Sequence, residues 1–176
     1  MPIGSSSFGK SLSRVAALDL AGSGARQFAH IEKRAHAEDP ADAQLCFWLA
    51  RELMAYGEGG RAAEKFLHYL DLGHWTFAEE RAEAMRFLAR VQGDAGWLHR
   101  AVVEAGHRRE VWLDLAEHFH GQSDWPGLLW ATSGGLERAR LTGTYLDDPA
   151  AWGPRLSDLA ALARARLGFP VGTGST

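Results

Sequence analysis

The chain has 176 residues, 46% of them apolar, with 19 Lys and Arg set against 22 Asp and Glu for a formal charge of -3. That length suffices for one ordinary domain with its own core. The composition excludes a membrane span, which needs about 18 consecutive apolar residues, and offers no clustered basic surface for nucleic acid. Cys46 is the one cysteine, so an intrachain disulfide is excluded as well.

Residues 1 to 10 are rich in Gly and Ser and read as a leader without fixed structure. Ser11 or Ser13 caps a short helix expected to run to about Leu20, and Gly22-Ser23-Gly24 breaks the pattern. Lys10 and Arg14 precede the apolar run Val15 to Leu18, but Asp19 interrupts it, so no signal peptide is expected. A helix from Ala25 to Ala37 carries Phe28, Ile31 and Ala35 on one face, and Glu38-Asp39-Pro40 ends it.

From residue 42 the text is more regular. Residues 42 to 56 set Leu45, Leu49, Leu53 and Met54 on a helical stripe. Gly57, Gly59 and Gly60 form a turn, and residues 61 to 72 make the partner helix with Ala62, Phe66, Tyr69 and Leu70 inward. A helix from Phe77 to Gln92 follows, then a short one from Trp97 to Ala105 and another from Arg109 to Phe119. Asp124 caps the next helix, with Pro126 in its first turn. Gly134-Gly135 inside that helix costs about 1 kcal/mol per glycine against alanine, for which close helix packing is the expected compensation. Residues 141 to 155 read as an ordered loop buried through Tyr145, Leu146 and Trp152, and a last helix spans Ser157 to Leu167. No segment alternates with period two, so no strand is predicted.

The helices share a pattern. Trp112, Leu115, Ala116 and Phe119 have the residue types and spacing of the first helix of a tetratricopeptide repeat. Cys46, Leu49, Ala50 and Leu53 occupy the same spacing 66 residues earlier, with Gly57, Ala62 and Phe66 completing the second half. Weaker echoes are Met85, Leu88, Ala89 and Leu159, Leu162, Ala163. The small residue lets two helices approach while large neighbours fill the groove, and pairs must stack to bury their faces. The expectation is an all-α protein, a tetratricopeptide-like α-α superhelix of degenerate helical hairpins. Residues 1–24 would be its leader, 25–169 the repeat domain and 170–176 a tail.

The phrases FWLAREL (47 to 53), ERAEAMRFLAR (80 to 90), RREVWLDLAEHF (108 to 119), DW (124 to 125) and DLAALARARLG (158 to 168) come in an order, with Tyr145 and Trp152-Gly153 between the last two, that resembles the helical region following the catalytic domain in some family 2 glycosyltransferases of bacteria and phages. The arginine-rich, asparagine-free composition suits a GC-rich genome of that kind. The resemblance covers roughly residues 25 to 169. It implies an accessory function, because sugar transfer in such proteins belongs to an upstream nucleotide-sugar domain with an Asp-X-Asp metal motif, and this chain has no Asp-X-Asp.

Other chemical signals are weaker. Gly4 to Ser11 matches the P-loop pattern letter for letter, but such a loop must follow a buried strand, and only Met1-Pro2-Ile3 precedes it. The eight histidines fall at no HExxH spacing, and no GxSxG supports a nucleophile elbow. Cys46 lies in an apolar helical stretch and reads as a small buried hydrophobe. No catalytic residue, metal site or cofactor is therefore expected. Of the seven tryptophans, Trp112 takes a repeat core position and Trp152 anchors the loop.

In stacked helix pairs the first helices line the concave side. Counting from the small residue gives Phe47, Arg51 and Met54, then Arg86 and Arg90, then Glu117 and His120, and Arg164 as partner-binding candidates. Arg51, Arg86 and Arg90 could form a basic patch for an acidic peptide or phosphate group. The competing reading pairs them with Glu52, Glu83 and Glu110 in a solvated network. The expected function is a non-enzymatic helical-repeat module in the cytoplasm or a phage particle, binding a protein or peptide. The alternatives are an accessory subunit of a split glycosyltransferase and a structural phage-particle protein.

Overall fold

A computed structural model describes residues 42–73, 76–138 and 143–169. The leader, the P-loop-like stretch, the helices expected over Ser11–Leu20 and Ala25–Ala37, and the tail lie outside the described residues. The described chain is all-helical, with seven α-helices, one 3-10 helix and no strand. It divides into two compact units between Phe77 and Ala78, within the stretch expected as one repeat domain.

The first unit holds α1 (Ala43–Ala55) and α2 (Gly59–Asp71). The Asp42 side chain caps α1 by accepting from the Leu45 amide at 2.9 Å, which satisfies one of the donors a helix start leaves bare. Gly57 takes φ +80° in the turn, a conformation that a Cβ would strain. On α1, Leu45, Cys46, Phe47, Leu49, Ala50 and Leu53 are buried, and Ala62, Ala63, Phe66, Tyr69 and Leu70 answer them from α2. The Phe47 ring lies 5.1 Å from Tyr69 and 6.0 Å edge-on from Phe66. The buried Cys46 thiol donates to the Lys65 carbonyl at 3.3 Å.

The second unit holds α3 (Ala78–Gln92), α4 (Gly96–Ala105), α5 (Arg109–Gly121), α6 (Trp125–Leu136), the 3-10 helix Pro149–Trp152 and α7 (Arg155–Arg166). Each of α3–α4, α5–α6 and α6–α7 packs closely, and α5 also touches α3, α4 and α7. Asp124 caps α6 through the Gly127 amide at 3.0 Å, with Pro126 in the first turn, as its position predicts. The shared core is Ala89, Leu98, Leu115, Ala116, Leu128, Ala131, Leu156, Leu159 and Ala163.

The repeat positions are buried in three of the four helices as read. Leu49 and Ala50, Leu88 and Ala89, and Leu115 and Ala116 all lie inside. On α7 the buried set is Leu156, Leu159, Ala160 and Ala163, while Leu162 is half-buried. The large–small pair there is Leu159–Ala160, three residues before the register read from Leu162–Ala163. A stripe at i, i+3, i+4 and i+7 nearly superposes on itself after a shift of three, so spacing alone does not choose between them.

Gly134 and Gly135 are explained by Trp112. A Cβ on Gly134 would lie 2.5 Å from the Trp112 ring, and one on Gly135 would meet both Leu156 and the Trp112 Cβ. The indole cannot swing clear, because its Nε1 donates to the Gly106 carbonyl at 2.7 Å and the Arg138 guanidinium covers it at 5.3 Å. Gly134→Ala therefore loses more by overpacking, about 1–3 kcal/mol, than it gains from helix propensity, about 1 kcal/mol. Gly60→Ala in α2, where nothing lies within 4 Å, is neutral or stabilising. Urea denaturation of the two variants checks the opposite signs.

Candidate partner-binding face

The candidates split between the two units. In the first, Phe47 is 0% exposed and belongs to the core. This corrects its place among the binding residues: the position counted as facing outward packs on Tyr69 and Phe66. Arg51 is half-buried, with its guanidinium 5.0 Å from the Trp48 ring, and Met54 is half-buried beside it in sequence.

In the second unit, Arg86 is also corrected. It is 4% exposed, and donates from Nη1 to Glu83 and from Nε to Asp114, both at 2.7 Å. Burial acts to lower its pKa, but the two carboxylates outweigh that and hold it above the ordinary arginine value. Arg90, one turn on, has its side chain 51% exposed, and donates from Nη2 to both Asp114 oxygens at 2.9 and 3.2 Å. Of the pairings expected for these arginines, Arg86 with Glu83 is present. Arg90 takes Asp114, and Glu110 lies by Arg108, 3.6 Å from its Nε.

Glu117 on α5 accepts two hydrogen bonds from Arg155 on α7, at 2.5 and 2.7 Å. The hydrogen bond to Glu117 is the main reason the Arg155 pKa is raised. His120 lies 3.9 Å from Glu117 and 6.4 Å from the Trp125 ring, and Arg164 is exposed on α7. Charges of alternating sign thus bridge α3 to α5 and α5 to α7.

Between these bridges is a hollow of about 240 Å³. Ala89, Gly93, Ala95 and Leu98 give it apolar walls, and Arg90, Asp114, Glu117 and His118 give it a polar rim. Two of the sequence candidates, Arg90 and Glu117, meet there. Sequence reading missed Asp114 and Arg155. Asp114 directly precedes the buried Leu115, which was its one available signal, and Arg155 was assigned to the loop before the last helix.

A second exposed feature lies on α4, α5 and α6. Trp130 is 51% exposed, near-parallel to the His99 ring at 6.5 Å and edge-on to Trp112 and Phe119. Trp48, Trp97, Trp112, Trp125 and Trp152 each carry an arginine guanidinium within 4.3 to 5.3 Å of a ring, contacts that add attraction and shield the indole.

Among the described residues, no group of three or more His, Cys, Asp and Glu side chains could hold a metal ion, and no helix is long and apolar enough to cross a membrane. No protein-family model matches the chain, and no curated protein matches it.

The burial difference between Arg86 and Arg90 on α3 has a measurable consequence. Arg86→Ala leaves Glu83 and Asp114 short of a partner in a low-dielectric site. It should cost about 3 kcal/mol, the lower end for breaking a buried pair because Arg108 and Arg90 remain. Arg90→Ala removes a half-exposed contact worth about 1 kcal/mol or less. Chemical denaturation of the two single variants measures the gap.

Proposed function

We propose that the chain is a non-enzymatic helical-repeat module, tetratricopeptide-like in its stacking, that binds a protein or peptide partner. The observation that carries this reading is the hollow beside α3, α4 and α5. Small residues at repeat positions bring the helices close, and the same spacing leaves a concavity with an apolar floor and paired charges at its edge. Such a site suits an apolar anchor flanked by polar groups, the usual anatomy of a protein contact. Arg90 and Glu117, each matched within the chain, would supply orientation and part of the affinity by exchanging those internal partners for groups of the peptide.

The accessory-subunit reading is retained as a second proposal. Its support is positional. The phrases FWLAREL, ERAEAMRFLAR and RREVWLDLAEHF fall on α1, α3 and α5, and DLAALARARLG on α7 and the residues after it. These are the helices that carry the repeated large–small pairs.

Affinity capture from the source cell tests the first reading, with the wild-type chain and the Arg90→Ala/Glu117→Ala variant run side by side. The variant should fold and hold its partner about tenfold or more weakly, a loss near 1.4 kcal/mol. Equal recovery of the same partner by both chains removes this face from the proposal. Nucleotide-sugar transfer by the captured partner would favour the accessory-subunit reading.

A further inference from the structure

Residues 143–152 of the connection between α6 and α7 lie against the first turns of α3 and α5. They are held there by side chains that are themselves buried. Arg108, 0% exposed, donates from Nη2 to the Leu146 carbonyl at 2.6 Å. Glu110, also buried, accepts from the Asp148 amide at 3.0 Å. The Tyr145 hydroxyl donates to the buried Glu80 carboxylate. Leu146 itself is buried, and Trp152 lies 4.9 Å under the Arg109 guanidinium.

Arg108 does not end at this segment. Its Nη1 donates to Glu83 Oε2 at 3.3 Å, the same oxygen that Arg86 holds at 2.7 Å. Arg86 then reaches Asp114 Oδ2, the oxygen that Arg90 also holds. A continuous row of shared carboxylates therefore runs from the Leu146 carbonyl to the rim of the hollow. Each carboxylate stands between two guanidinium groups, so a change in one bond redistributes the next, and low local dielectric strengthens that dependence.

We infer that residues 143–152 form a clasp whose seating is coupled, through Arg108, Glu83, Arg86 and Asp114, to Arg90 at the hollow. The inference rests on the proposed binding face for its biological sense, since it supplies that face with a regulator. An acidic side chain of a bound peptide that takes Arg90 leaves Asp114 to Arg86 alone. Arg86 then gives up part of its hold on Glu83, Glu83 draws on Arg108, and Arg108 releases the Leu146 carbonyl. The clasp loosens as the peptide seats. By reciprocity, loosening the clasp changes the surroundings of Arg90.

Both directions are measurable in the isolated chain. Arg90→Ala imitates loss of Arg90 from Asp114. Hydrogen exchange at the amides of residues 143–152 should accelerate about twofold, as befits a half-exposed contact of modest worth, while α6 and α7 keep their protection. Unchanged exchange overturns the inference, and so does a uniform acceleration across the unit. In the reverse direction, Leu146→Ala removes the apolar anchor of the clasp. The Arg90 Nε–H resonance should shift while that of Arg100, stacked on Trp97 at 4.3 Å outside the row, stays in place. An unmoved Arg90 resonance overturns the inference too. Because no partner is present in either measurement, a failed coupling leaves the binding proposal standing, and a chain that captures nothing leaves the coupling measurable.

Discussion

The second unit is organised by the close approach that Trp112 makes to its neighbours. Its indole reaches the end of α4 through the Gly106 carbonyl and lies against Gly134 of α6, while its Cβ lies close to Gly135. A helix with two interior glycines is weak by propensity. Here the missing Cβ atoms let α5 and α6 come close, and the Leu156 side chain of α7 fills the space beside Gly135 that a Cβ would take. Shape at this junction sets which faces of α5 remain outside, and so which residues can meet a partner.

Burial of charge is the second organising feature. Arg86, Arg108, Glu80, Glu83 and Glu110 are all inside, where an unpaired ion would cost several kcal/mol. They are tolerated because each has an opposite charge, a polar backbone group or, for Glu80, the Tyr145 hydroxyl within reach. Arg108 is the most constrained, since its Nε makes no hydrogen bond and lies 3.6 Å from Glu110. Apolar packing would have supplied similar stability with less demanding geometry. What the charges add is a defined relation between residues 143–152 and the first turns of α3 and α5.

Much of the fold was legible in the sequence because its helices are marked at both ends. Asp124 caps where its position predicts, and Gly57 turns where it must. The α7 register was not legible, because apolar spacing repeats under a three-residue shift and the helix starts at Arg155, ahead of Ser157. The candidate face was legible in part. Counting one residue past the small position found Arg90 and Glu117, which keep half or more than a third of their side-chain surface in solvent. Counting back from the small position put Phe47 and Arg86, three residues before it, on the same face. Phe47 instead points into a hairpin rich in aromatic rings, and Arg86 is drawn under Glu83 and Asp114, a partner 28 residues away that no local pattern announces.

The buried thiol of Cys46 has a practical corollary. It is the chain's lone sulfhydryl, and it sits in the unit that ends at Phe77, whereas five of the seven tryptophans belong to the unit that follows. Reaction with an external alkylating reagent therefore clocks the parting of α1 from α2, and indole emission weighs the larger unit. Two ordinary spectroscopic and chemical signals, read on one sample without labels or truncations, distinguish whether the halves of this molecule come apart together or in turn.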